Sequence, residues 1–180
     1  MTTDRRVRRT RSLLRQAAIE VIREKGFRAA QVRDITERAD VNRATFYAHY
    51  ADKYALADEL VRDEIRRRFA TRLPAAPAPV ANLVHALAVL LWEDSSPVNG
   101  CRRDINVLRP LIQRAVRTEV CCTLVERCAY ESAVTAHIAG STIVGAVCWW
   151  RENGLPDTPP DQVADEVTRA VLHGLRPASR

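Results

Sequence analysis

An all-α fold is predicted for this 180-residue chain, with an N-terminal three-helix unit joined to a C-terminal helical bundle. Three observations predict it. Apolar residues recur at spacings of three and four in segment after segment, with no strand-period run of useful length. Six glycines and 6% aromatics, beside abundant Ala, Arg, Leu and Val, favour helix over strand. Charge is uneven: residues 1–72 hold 18 of the 28 Lys/Arg and 11 of the 22 Asp/Glu, a balance of +7, which leaves 10 and 11, or −1, for the rest. Such asymmetry suggests a polyanion-binding N-terminal module on a neutral body.

The first helix is expected from Thr10, as its cap, to Lys25. Leu14, Ala17, Ala18, Val21 and Ile22 form one face, and Gly26 ends it at the position where a left-handed residue is needed. A short helix fits 31–38, with Val32, Ile35 and Ala39 on one side. A hinge follows at Ala39-Asp40-Val41, and Asn42 caps a third helix over 43–49. Asp52 caps a longer fourth helix carrying Tyr54, Leu56, Leu60, Val61 and Ile65. Three prolines in six residues (Pro74, Pro77, Pro79) then make a stiff connector. Beyond it, Val80, Leu83, Val84, Leu87, Leu90 and Leu91 form a helical stripe that breaks at SSPVNG, residues 95–100. One or two helices are expected over about 101–128, another over 132–152 stopping at Asn153-Gly154-Leu155-Pro156, and a last one from Pro160-Asp161. No internal repeat is visible.

Several function classes find no support in these residues. The five cysteines (Cys101, Cys121, Cys122, Cys128, Cys148) form no CxxC pair and no metal-ligand spacing with histidine. Their odd count argues against a closed disulfide framework and for a reducing cytoplasm. The charged N-terminus has no uninterrupted apolar run behind it and does not read as a secretory signal. The 19 uncharged residues between Glu131 and Arg151 match a membrane span in length, but they include His137 and four hydroxyl residues and have no second apolar partner segment. A helix buried in a bundle or a subunit interface is the expectation, with no membrane partner. No nucleophile motif, catalytic carboxylate pair, phosphate loop or metal cluster appears, so no enzyme activity, metal or cofactor is expected.

The stretch 34–56, DITERADVNRATFYAHYADKYAL, describes a helix-turn-helix. Ile35, Ala39, Val41, Phe46 and Tyr50 supply its inner face, while Asp40 suits a left-handed hinge better than most residues. The opposite face presents chemistry for DNA. Arg43 has the fork geometry to read guanine or hold a phosphate, and Ala44 suits a thymine methyl. Asn42 suits a cap, a base edge or both. Thr45, Tyr47 and His49 are donors of the kind that fix register on phosphates, and Lys53 adds a charge at the start of the fourth helix. Arg5, Arg6, Arg8 and Arg9 suit a flexible arm over the DNA.

Gly26-Phe27 and VRDITERADVNRATFYAHYADKYAL, residues 32–56, resemble the TetR/AcrR family of transcriptional regulators. The resemblance covers roughly residues 8–68. Ala30 departs from the usual Thr/Ser cap and Asp40 from a common Gly. The Trp-Trp-x-x-Asn-Gly-Leu-Pro run at 149–156 is similar to the penultimate helix end of such regulators. The resemblance implies a DNA-binding domain over 1–70, with Thr45, Tyr47 and Lys53 gripping the backbone, and a ligand-binding and dimerisation domain over 71–180. It also implies a homodimer through helices 132–152 and 161–174, a palindromic double-stranded operator and a small-molecule effector that releases a repressor. For that ligand, His85, Trp92, Arg109, Tyr130 and His137 are the expected lining residues, each polar or aromatic within an otherwise apolar helix. The alternative is a cysteine-based redox regulator, through Cys121, Cys122 and Cys128, that keeps the same head.

Overall fold

The computed structural model describes residues 2–75, 78–93, 104–127, 132–153 and 158–174. The described residues form eight helices and no strand: α1 Thr2–Lys25, α2 Val32–Arg38, α3 Arg43–Tyr47, α4 Lys53–Arg72, α5 Val80–Glu93, α6 Ile105–Arg127, α7 Ala133–Asn153 and α8 Pro160–His173. The expected breaks at 95–100 and 154–156, together with Cys101, Cys128 and Tyr130, lie outside the described residues. Two compact units form, one from the described residues of 1–64 and 98–113 and the other from those of 65–97 and 114–180.

The first unit closes on one apolar cluster. Leu14, Ala17, Ala18 and Val21 of α1 meet Ile35 and Ala39, Phe46 and Tyr50, and Leu56 of α4. The chain enters that cluster differently from expectation at its start. Thr10 does not cap α1; its hydroxyl donates back to the Arg6 carbonyl at 3.1 Å, about two turns inside a helix that begins at Thr2. Arg5, Arg6, Arg8 and Arg9 therefore extend α1 rather than forming a flexible arm. At the other end Gly26 adopts φ 83° and its N–H donates to Ile22 O at 2.9 Å, the left-handed stop that the sequence predicted. Gln31, not Ala30, flanks α2, and the Asp34 carboxylate accepts from the Gln31 N–H at 2.9 Å.

At the hinge Asp40 takes φ 52°, the left-handed conformation expected of it. Val41 N–H then donates to Thr36 O at 3.0 Å, which closes the turn and redirects the chain into α3. Asn42 Oδ1 accepts from Thr45 N at 2.7 Å and so caps α3. Regular α-helix ends at Tyr47, two residues short of the expected span, although His49 and Tyr50 amides still donate to Phe46 O at 2.9 Å each. Asp52 Oδ1 caps α4 through Ala55 N at 2.8 Å.

The second unit buries the predicted stripe of α5, Leu83, Val84, Leu87 and Leu90. α5 packs on α7 and α8, and α7 packs on α8. α6 is a single helix through Pro110, which has no N–H to donate to the carbonyl one turn back. The apolar helix α7 is long and apolar enough to cross a membrane, yet it buries Ala136, Ala139, Ile143, Val144 and Val147 in this unit. Gly140 explains one close approach. A Cβ there would stand 2.9 Å from Cys121 Sγ and 3.3 Å from a Val120 methyl, so the contact it permits is with α6 of the same chain.

The hinge gives a direct stability test. Left-handed backbone costs a non-glycine residue about 1–2 kcal/mol, less for Asp and most for a β-branched side chain. Asp40→Gly should raise the urea midpoint or leave it in place, whereas Asp40→Val should lower stability by about 1–2 kcal/mol.

Candidate nucleic-acid interface

A five-residue helix has two faces, and α3 divides them sharply. Phe46 is fully buried and meets Tyr50 with ring centroids 5.8 Å apart. Arg43, Ala44 and Ala48 lie on the exposed side, with Tyr47 49% exposed and its ring edge-on to Phe46 at 5.4 Å. Arg43 and Tyr47 are one turn apart, as are Ala44 and Ala48, so these four share the outer surface. Asn42 and Thr45 stand beside them but are tied to each other, because the Thr45 hydroxyl donates to Asn42 Oδ1 at 2.9 Å. His49 is half-buried, its ring 6.4 Å from that of Tyr50.

Electrostatics set Arg43 apart from most neighbouring cations. Arg38 is claimed by Glu20 and Glu24, Arg33 by Glu37, and Lys25 by Asp34. Arg15 pairs with Glu59 at 2.9 Å and Asp63 at 2.5 Å, and Arg11 also reaches Glu59. Among the described residues Arg43 has no ion-pair partner, and neither has the exposed Arg28 in the turn between α1 and α2. Sequence spacing gives no reason to single out Arg28; its exposure and unspent charge appear only with the fold.

Glu59 is the joint of this unit. It takes Arg11 and Arg15 from α1, and it accepts from Tyr50 Oη at 3.3 Å just after α3. Burial pushes the Tyr50 hydroxyl above its usual pKa, so it stays protonated and able to donate. The guanidinium of Arg11 lies 5.7 Å from the Tyr50 ring centroid as well. One carboxylate on α4 thus fixes α1 and the exit of α3 together.

Lys53 is placed differently from a residue waiting for a phosphate. Its ammonium donates to the carbonyls of Phe27 at 3.0 Å, Arg28 at 3.1 Å and Ala30 at 2.8 Å, and lies 4.9 Å from the Phe27 ring centroid. An ammonium has three protons, and three carbonyls take them. Burial pushes its pKa down and the charge of Asp104 opposes that push.

Residues 14–60 match the family model described as bacterial regulatory proteins, tetR family. The chain carries a TetR-family helix-turn-helix domain. A curated relative, the HTH-type transcriptional regulator YxbF of Bacillus subtilis (strain 168), is 38% identical over 96 residues, which cover 49% of this chain and 24% of that protein. The chain thus matches about a quarter of that relative's length. Over almost its whole length the fold is that of TetR-family structures. A TetR-family regulator from Streptomyces coelicolor A3 is similar at 23% identity, with 91% of this chain and 92% of that chain covered and a TM-score of 0.58. A second regulator from Streptomyces coelicolor A3(2) is similar at 21% identity, 91% and 98% coverage and a TM-score of 0.60. The multidrug binding protein EbrR complexed with imidazole is similar at 24% identity, 94% and 97% coverage and a TM-score of 0.56.

Of the expected ligand residues, Tyr130 lies outside the described residues, Arg109 belongs to the first unit, and His85, Trp92 and His137 have separate surroundings in the second. His85 on α5 is half-buried with Nε2 3.4 Å from Asp165 and 3.8 Å from Asp161 of α8. His137 on α7 is exposed, with Nδ1 3.6 Å from Cys121 Sγ. Trp92 is half-buried near the end of α5 and Arg109 is exposed on α6. A shallow cleft lies instead between α7 and α8, lined by Gly145, Trp149, Trp150, Glu166 and Val167, and holds none of these side chains. The two tryptophans meet edge-on with ring centroids 6.4 Å apart, Trp149 61% exposed and Trp150 half-buried. Cys121, Cys122 and Cys148 are free thiols, and burial pushes the Cys121 thiol above its usual pKa, away from the reactive thiolate a redox sensor needs.

The two anchors of the head separate experimentally. Lys53→Met strips three carbonyls, those of Phe27 and Ala30 part-buried, of their donor and should cost about 1–3 kcal/mol in urea unfolding. Asn42→Ala removes only the cap of α3 and should cost about 1 kcal/mol. A Lys53→Met variant as stable as the wild type would contradict the carbonyl assignment.

Proposed function

We propose that the chain is a sequence-specific DNA-binding transcription regulator that acts in the cytoplasm as a homodimer on a palindromic operator. The observation that supports it most is the uncompensated Arg43 on the outer face of α3, in a unit where most nearby cations are already paired. A guanidinium without a carboxylate partner, on a short helix whose other side is buried, is built to meet an anion or a guanine edge. Arg43 and Ala44 face the bases, with Asn42 adding whatever its cap leaves available. Tyr47, Thr45, His49 and Arg28 contact phosphates. Lys53 contributes by holding the 27–30 turn rather than by lending its charge to DNA. The DNA-binding domain spans 1–70 and the body 71–180.

Dimerisation is supported by the outer surface of α7. Val134 is 68% exposed, Ile138 61% and Trp149 61%, and their spacing puts them on one side of the helix. An apolar row of this kind on a soluble helix marks an interaction surface. The second subunit would cover that row and the cleft beside Trp149, pairing α7 and α8 with their symmetry mates. Repression, and release by a small molecule bound in the body, rest on the resemblance to the family; EbrR, a structure of the same fold, is named for multidrug binding. Ligand release would require different affinities of the effector for two spacings of the paired heads.

Two variants test this reading on a duplex selected in vitro by the wild-type chain. Arg43→Ala should lower the ratio of selected to random duplex affinity by about tenfold or more, since a bidentate guanine contact carries that much discrimination. Tyr47→Phe should instead weaken both duplexes alike. An unchanged ratio in Arg43→Ala would remove Arg43 from the base-reading set. Ile138→Glu should convert a sedimenting dimer to a monomer and weaken operator binding; a variant that stays dimeric would place the interface elsewhere.

A further inference from the structure

We propose that Asp104, the residue just before α6, is a positioning residue for the DNA-reading face, acting through the backbone turn at 26–30. The inference rests on the DNA-binding reading above. Asp104 lies far outside the 14–60 segment that matches the family model. It is buried at 7% exposure, and its Oδ2 accepts from the Phe27 N–H at 2.5 Å across 77 residues of sequence. That N–H lies just past the left-handed end of α1, where Gly26 N–H takes the Ile22 carbonyl and the Asp104 carboxylate serves Phe27.

Three further facts show that the carboxylate fits this place closely. A Cβ on Gly26 would stand 2.8 Å from Asp104 Oδ2, so the carboxylate occupies space that only glycine leaves open. Gly26 also holds φ 83°, so both conformation and room require glycine there. Lys53 donates to the carbonyls of Phe27, Arg28 and Ala30 on the same turn and feels the Asp104 charge. An anion thus holds the turn by its N–H, and a cation holds it by its carbonyls.

The consequence reaches α3 through α4. Lys53 is the first residue of α4, and only residues 48–52 separate it from the end of α3. Fixing the Lys53 ammonium on the turn therefore limits where α3 can leave the core. Without the Asp104 carboxylate, the Phe27 N–H loses its acceptor and Lys53 loses its counter-charge. The fraction of heads in the reading geometry falls, and apparent affinity falls by the same factor for every duplex. Sequence preference, set by side chains on α3, stays where it was.

The test uses the full chain with Asp104→Ala, Asp104→Asn, Lys53→Met and the Lys53→Met/Asp104→Ala pair. Affinities for the selected and a random duplex are measured at a temperature where circular dichroism shows each variant folded. Asp104→Ala should weaken both duplexes by about tenfold with their ratio unchanged, and Asp104→Asn, which keeps an acceptor oxygen, by about threefold. In the Lys53→Met background the Asp104→Ala effect should shrink to about twofold or less, because both residues act through one turn. Amide exchange at Phe27 should accelerate in Asp104→Asn while exchange at Leu14–Val21 does not. Wild-type affinity in Asp104→Ala, or full multiplication of the two effects, would overturn the proposal. Should Asp104→Ala fail to fold, unchanged affinity and Phe27 exchange in Asp104→Asn would do the same. A wild type that selects no duplex would instead refute the DNA-binding reading, and this role with it.

Discussion

A reading helix of five residues cannot hold itself. Helix formation has a costly nucleus, and one turn repays almost none of it. Everything about the position of α3 must therefore come from outside α3, and the first unit is organised to supply it. Phe46 and Tyr50 anchor its inner side in a cluster with Leu14, Ile35 and Leu56. Asn42 caps its start, and the Tyr50 hydroxyl hands its exit to Glu59. Because Glu59 also takes Arg11 and Arg15, the long α1 serves as a brace for the short α3.

The same constraint explains how charge is distributed. A net excess of basic residues suggests a diffuse basic face, but most of those cations are committed to internal structure. Arg11, Arg15, Lys25 and Arg38 join helices to one another, and Lys53 secures a turn. Exposed pairs of this kind add little stability singly, and their value here is in fixing orientation. What remains for a partner is Arg43 on α3 and Arg28 in the turn before α2, beside the exposed Arg5, Arg6, Arg9 and Arg23 of α1.

Local physics was legible in the sequence and long-range physics was not. Gly26 as a left-handed stop, Asp40 as a left-handed hinge, Asn42 and Asp52 as caps, and the buried pair Phe46 and Tyr50 all follow from spacing and side-chain chemistry within a few residues. By contrast, the carbonyls of Phe27, Arg28 and Ala30 that hold Lys53 lie 23 to 26 residues away and give no local signal. Asp104 gives no signal at all, since its partner is 77 residues away. Thr10 looks like a cap because Ser and Thr favour that position, yet the arginines before it continue the helix.

In the proposed function the outer face of α3, held by this frame, lies in the major groove of a two-fold-symmetric site. Methylation interference at guanine N7 on the selected duplex tests it most directly, since N7 is accessible only from that groove. Two interference clusters related by symmetry are expected on one side of the duplex, separated by about one helical turn or a multiple of it. Interference confined to the minor groove, or none at any guanine of a bound site, would contradict it.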